Sequence, residues 1–217
     1  MQTNYYIAIE GVIGVGKTTL TRMVQADLRA EILLEVFEEN PFLERFYQDR
    51  KRYGFQTQIF FLLSRYHQQH ETIPAALARA SLISDYTFDK NQIFARLNIE
   101  GDELAMYERV HRIIATKIPL PDLVVYLRAD TDVLMDRIAL RDRPYERAME
   151  RAYIAQLGAA YDDFFAQYAP APVLTIDTNE LDFVRRTEDL HFVRERIFTK
   201  LKLGTHQHPL FDDGGGG

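Results

Sequence analysis

The sequence predicts an α/β fold: a five-stranded parallel sheet flanked by helices on both faces. Three observations carry this expectation. Five short apolar runs, at residues 5–10, 31–37, 81–85, 123–127 and 173–177, alternate with stretches of helical periodicity. That is the pattern of parallel strands joined by crossover helices. The first run passes directly into a glycine-rich loop and a helix. The second and third carry carboxylates near their C-terminal ends, Glu35 and Asp85, and ligands of open parallel sheets sit outside those ends. The chain has 217 residues, 47% of them hydrophobic, enough for one sizeable core and one domain.

The loop is Gly11-Val12-Ile13-Gly14-Val15-Gly16-Lys17-Thr18-Thr19, in which Gly11, Gly16, Lys17 and Thr18 satisfy G-x-x-x-x-G-K-[ST]. Glycines let the backbone curl so that successive N–H groups point into one concavity. The helix that follows adds the positive end of its dipole. Lys17 is placed to reach β- and γ-phosphates, and Thr18 to offer its hydroxyl to Mg²⁺. The loop implies a nucleoside triphosphate, without fixing the reaction.

Bulk properties exclude several classes. A net charge of −6 and a pI near 5.5 argue against a protein that coats a nucleic-acid polymer. No cysteine is present, so neither a disulfide framework nor a thiolate metal site is expected. No apolar leader and no segment of membrane-spanning length are read; a soluble, cytoplasmic protein is expected. Residues 204–217, ending in four glycines, read as a flexible tail whose His206 and His208 are not expected to form a metal site.

Along the chain, helix one is expected over 16–29. Asn40-Pro41-Phe42 starts a helix, followed by an aromatic cluster of Phe42, Phe46, Tyr47, Tyr53 and Phe55, each singly more a core residue than a contact. A long helix over 54–71 places Gln58 and Arg65 two turns apart on one face. They read either as readers of a base edge or as a partly exposed polar stripe. Pro74 is expected to start another short helix. Lys90 follows on a helix with Phe88, Ile93 and Phe94, and a helix over 101–117 buries one face through Leu104, Tyr107, Val110, Ile113 and Ile114. His111 reads as packed or surface. Asp130 and Asp132 read as N-cap and first-turn residues of the next helix. Arg137, Arg141, Arg143 and Arg147 then cluster around Pro144. They are either a mobile flap that clamps phosphates or a surface helix paired with Asp142 and Glu146. Helices over 149–168 and 188–202 complete the pattern.

Taken together these residues resemble the deoxynucleoside kinases, in particular their bacterial deoxyguanosine/deoxyadenosine kinase branch. The resemblance spans about residues 5 to 200. It rests on Ile9-Glu10-Gly11, Glu35 with Glu38-Glu39-Asn40-Pro41-Phe42-Leu43, Gln58 through Ser64-Arg65-Tyr66, Ser84-Asp85-Tyr86 with Lys90 and Ile93-Phe94-Ala95, Arg141-Asp142-Arg143-Pro144 with Glu146 and Tyr153, and Ile176-Asp177-Thr178-Asn179-Glu180. It implies a P-loop kinase over residues 1–203 with an Arg-rich lid at about 141–149. Glu35 resembles the general base for the deoxyribose 5′-hydroxyl, and Tyr47 and Glu146 the pair on the 3′-hydroxyl. Gln58 and Arg65 resemble base readers, and Asp85 the acid that supports Mg²⁺. Arg137 is implied under the adenine of ATP, Arg141 and Arg143 on its phosphates, and Asp177 beside the donor base. Where many members have proline, arginine and aspartate, this chain has Val36, Tyr86 and, as nearest candidate, Asn91. Lys90 is the residue that would supply the missing arginine's charge.

The expected activity is ATP-dependent phosphorylation of a deoxynucleoside, a purine deoxynucleoside or deoxycytidine, to its 5′-monophosphate for nucleotide salvage. A homodimer is implied through the helices around 56–70 and 101–117, although core packing also explains their apolar residues. The first alternative is a nucleoside monophosphate kinase of thymidylate-kinase type, which needs a cationic acceptor site where Glu35 stands. The second is a non-catalytic nucleotide-binding switch, for which no guanine-specific Asn-Lys-x-Asp sequence is present.

Overall fold

The computed structural model describes residues 4–201. Its five strands are β1 (Tyr6–Gly11), β2 (Glu31–Leu33), β3 (Leu82–Ser84), β4 (Leu123–Arg128) and β5 (Val173–Asp177). They form one parallel sheet in the order β2-β3-β1-β4-β5. β1 is buried throughout, as an apolar run flanked on both sides must be. Alternate residues of β1 enter different clusters. Tyr6 and Ala8 pack with Ile73 and Ala76, while Ile7 and Ile9 join Leu20, Val24, Leu157 and Tyr161. Because successive strand side chains point to opposite faces, helices cover both sides of the sheet.

The helices are α1 (Lys17–Leu28), α2 (Leu43–Gln48), α3 (Arg50–Leu77), α4 (Lys90–Asn98), α5 (Gly101–Ala115), α6 (Thr131–Arg141), α7 (Arg151–Ala166) and α8 (Thr187–Lys200). Asp130 is the N-cap residue of α6, as expected, although its side chain makes no capping hydrogen bond. Arg141 closes α6, Asp142 turns the chain with φ 48°, and Pro144–Glu146 form a 3₁₀ turn before α7.

Three expectations are corrected. Pro74 does not start a helix; it lies inside α3. Only one turn follows it, so the missing N–H removes one bond near a helix end. Ile73 and Ala76, both fully buried, hold that turn on the sheet. β2 stops at Leu33 rather than running to residue 37. Gln68 Nε2 donates to the Leu34 carbonyl at 2.7 Å and the Glu35 N–H donates to Asp85 Oδ1 at 2.8 Å, which draws the backbone out of the ladder. On α5 the expected face is not fully buried: Tyr107 and His111 are, but Ile113 is 68% exposed. The expected tail over 204–217 and the domain end at 203 lie outside the described residues.

Candidate active site

The loop between β1 and α1 is shaped by its glycines. Gly11 has φ 146°, and a Cβ there would collide with the Leu127 carbonyl oxygen. Gly16, at φ 100°, caps α1 without a side-chain acceptor, so the first N–H groups of the helix are free to face an anion. Val12 and Val15 anchor the loop in the core, and Val15 N–H donates to the Val12 carbonyl at 3.2 Å. Thr19 is exposed on the first turn. Lys17 Nζ donates to the carbonyls of Gly11 at 2.8 Å and Val12 at 3.1 Å. Burial, then the nearby Lys90, push its pKa down to about 8 against the pull of Glu10, Glu35 and Asp85.

One cleft at the C-terminal edge of the sheet gathers most of the expected residues: Ile13, Gly14, Lys17, Thr18, Glu35, Tyr47, Gln58, Arg65, Asp85, Lys90, Arg141, Arg143 and Glu146. Glu35 is its centre. Arg65 donates to Glu35 Oε1 from Nε at 2.8 Å and from a terminal nitrogen at 2.5 Å, and Lys90 Nζ donates to Oε2 at 2.6 Å. Burial alone would raise the Glu35 pKa, but the charges of Arg65 and Lys90 prevail and hold it well below the ordinary glutamate value. Two cations, Arg65 and Lys90, therefore flank Glu35. Tyr86, at the arginine position, instead donates from its hydroxyl to Gln68 Oε1 beneath the site.

Arg65 also donates to Asn91 Oδ1 at 2.5 Å, and Asn91 Nδ2 donates to the Phe88 carbonyl. Asn91 thus lies behind Arg65 rather than in the cleft. Gln58 is 1% exposed, and among the described residues neither its amide nitrogen nor its oxygen has a hydrogen-bond partner. A buried amide left open in a cleft is costly unless a ligand completes it. Thr18 donates its hydroxyl to Asp85 Oδ2. These are hard oxygen donors, and no group of three or more His, Asp or Glu fit to hold a metal occurs among the described residues. Such a pair suits Mg²⁺, which keeps waters and substrate phosphates as most of its ligands.

The arginines around Pro144 are paired. Arg141 grips Glu146, with contacts of 2.6 and 2.7 Å from one terminal nitrogen, and Arg143 stacks 4.4 Å from the Phe37 ring. Arg147 pairs with exposed Asp142, as a surface helix would. Tyr47 stacks on Tyr145 at 6.4 Å; its hydroxyl pKa is raised by burial, then by Tyr153 and Glu146. Arg137 donates to the hydroxyl and carbonyl of Thr178 and to the Leu181 carbonyl. Asp177, at the end of β5, accepts from the Asn179 N–H. Neither Arg137 nor Asp177 lines the cleft.

Sequence reasoning missed the aromatic walls of the cleft, Phe37, Phe61, Phe94 and Tyr145. Phe61 lies under the Arg65 guanidinium at 4.6 Å; its position between Gln58 and Arg65 on α3 was the available signal. Phe46, read as core, both packs in the core and lines the cleft.

A phosphate loop facing an ionised carboxylate across one cleft, with Arg141 and Arg143 also lining it, defines a phosphoryl-transfer enzyme of the P-loop kinase fold. The family model for deoxynucleoside kinases matches residues 7–202. The deoxyguanosine kinase of Bacillus subtilis (strain 168) is 35% identical over 207 residues, covering 93% of this chain and 98% of that one. The deoxyguanosine kinase of Lactobacillus acidophilus is 30% identical over 210 residues, 90% of each chain. Among solved structures, deoxyadenosine kinase from M. mycoides with bound dATP aligns with a TM-score of 0.77 at 28% identity, covering 89% of this chain and 99% of that one. The chain belongs to the deoxynucleoside kinase family, and its activity is the phosphorylation of a deoxynucleoside to its monophosphate.

Proposed function

We propose that the protein transfers the γ-phosphoryl group of ATP to the 5′-hydroxyl of a purine deoxynucleoside or deoxycytidine, in nucleotide salvage. The observation that carries this reading is Gln58, a buried amide without a partner, in one cleft with Glu35 and the phosphate loop. An amide offers both a donor and an acceptor to a base edge. Relatives named for deoxyguanosine and for deoxyadenosine/deoxycytidine phosphorylation support that substrate class.

A neutral alcohol is a weak nucleophile, so Glu35 orients the 5′-hydroxyl and takes its proton as the O–P bond forms. Arg65 and Lys90 keep Glu35 ionised and aimed; Gln58 and Arg65 face the base, with Asn91 behind Arg65 holding it in place. Tyr47 and Glu146 hold the 3′-hydroxyl. The amides of residues 11–19 and Lys17 bind the donor phosphates, with Arg137 and Asp177 at its base. Thr18 and Asp85 would hold Mg²⁺, which when bound would supply charge neutralisation at the donor phosphates. Residues 141–149 act as the lid: Arg141 and Arg143 leave Glu146 and Phe37 for the phosphoryl oxygens when both substrates are bound.

The same reading makes the enzyme a cytoplasmic homodimer over one domain, 1–203. Among the described residues no helix is long and apolar enough to cross a membrane. Leu63 on α3 and Met106 and Ile113 on α5 are exposed and suit a partner copy. A panel of four deoxynucleosides and their monophosphates, each with ATP and Mg²⁺, tests the function. Product from a purine deoxynucleoside or deoxycytidine is expected. Product from monophosphates alone would favour the nucleoside monophosphate kinase, which a fixed negative charge at Glu35 disfavours. Sedimentation of a monomer at micromolar concentration would overturn the dimer.

A further inference from the structure

We propose that Glu10 is a positioning residue for phosphoryl transfer, tying the phosphate loop to the turn that carries Lys90. Glu10 stands on β1 with no exposed surface. Its Oε1 accepts from the Thr87 N–H at 2.6 Å and the Thr87 hydroxyl at 3.0 Å. Its Oε2 accepts from the Gly11 N–H at 3.2 Å and the Tyr161 hydroxyl at 3.2 Å. Thr87 Oγ1 in turn accepts from the Lys90 N–H at 3.3 Å, at the start of α4, and Lys90 Nζ reaches Glu35. Gly11, whose carbonyl takes Lys17 Nζ, Glu10, Thr87, Lys90 and Glu35 are therefore joined in one continuous line.

The line has donor-side groups at one end and the acceptor's carboxylate at the other. A central strand of a parallel sheet favours apolar residues at such a position, and a buried carboxylate is costly unless its lone pairs are filled. Here two backbone N–H groups and two hydroxyls fill them, from β1, the β3–α4 turn and α7. The placement does not serve packing, which an apolar side chain would do as well. It fixes the spacing between the loop that holds the donor and the lysine that aims Glu35. The inference rests on the role given to Lys90 above.

A double-mutant cycle on kcat tests it, using the most active deoxynucleoside of the panel with ATP and Mg²⁺. The variants are Glu10→Gln, Thr87→Val, Lys90→Ala and the two doubles with Lys90→Ala. A glutamine has one acceptor oxygen and can serve only one side of the line. Thr87→Val keeps the volume and provides a folded variant should Glu10→Gln not fold. Each single change is expected to lower kcat at least about tenfold, with both KM values moving less than about threefold. In the Lys90→Ala background the same changes should cost less than about threefold, because residues acting through one another are not additive. Losses that multiply with an impaired Lys90→Ala overturn the proposal alone. Wild-type kcat in Lys90→Ala overturns the role of Lys90 and the proposal with it.

Discussion

Glu35 owes its chemistry to neighbours far away in sequence. Arg65 and Lys90 arrive from α3 and α4 to fill both oxygens of its side chain, and Asp85 holds its backbone. A carboxylate so paired is a weak base in free solution terms, but it is ionised throughout the working range and fixed in direction. Orientation is then its larger contribution. Glu35→Gln keeps the shape and removes the proton acceptor, so kcat should fall by roughly 10²–10⁴ while the deoxynucleoside KM changes much less. Unchanged kcat in a steady-state assay would remove Glu35 from the reaction. Lys90→Ala leaves Arg65 as the single partner of Glu35. Its kcat should fall by about 10-fold or more, with the affinity for ATP, read by titration calorimetry, nearly unchanged. A loss of ATP affinity equal to the loss in kcat would place Lys90 on the donor instead.

At the scale of elements, α3 brings Gln58, Phe61 and Arg65 into the cleft. Gln58 and Arg65 share its inner face, and Gln68 supports the backbone at Leu34. Pro74 sits inside it with one turn remaining. Pro74→Ala restores an N–H for the His70 carbonyl and removes the ring's clash, so stability should rise by about 1 kcal/mol. A calorimetric Tm higher by about 2–4 °C, at unchanged kcat, is the expected reading; a lower Tm would mean that the proline sets the packing of Ile73 and Ala76. The sequence made Pro74 look like a boundary because proline's effect is judged locally, whereas buried neighbours on β2 and β3 decided it. The two-turn spacing of Gln58 and Arg65 was legible, since helix periodicity is local. That Arg65 would turn onto Glu35, thirty residues away, was not. Nor was the exposure of Ile113, because an apolar stripe on a helix looks the same whether the core or another surface covers it.

Across the whole molecule, the five parallel strands and the helices on both faces followed from the alternation of elements, and the phosphate loop from spacing alone; the strand order β2-β3-β1-β4-β5 was not legible. The electrostatic interior did not follow. Two glutamates away from bulk solvent, Glu10 fully buried and Glu35 largely so, look alike in sequence but are perturbed in opposite senses. Burial pushes Glu10 upward despite Lys90 and Lys17. For Glu35 the cations Arg65 and Lys90 outweigh burial and pull it downward. These shifts act on stability with opposite signs. Glu35 has a folded pKa below its unfolded value, near 4.5. Its ion pairs therefore stabilise the fold fully above that pH and are lost as pH falls below it. Glu10 has a raised folded pKa, so its ionisation opposes folding at neutral pH and that cost is relieved on acidification. Removing the Glu35 charge leaves Arg65 and Lys90 buried with no carboxylate between them. Glu35→Gln should then be less stable than the parent by about 3 kcal/mol at pH 7. Because that contribution titrates, the gap should narrow between about pH 5 and pH 3. Urea unfolding midpoints measured in steps across that range give the two curves directly. Parallel curves, with a gap independent of pH, would show that the Glu35 pairs do not hold its proton off in the folded state.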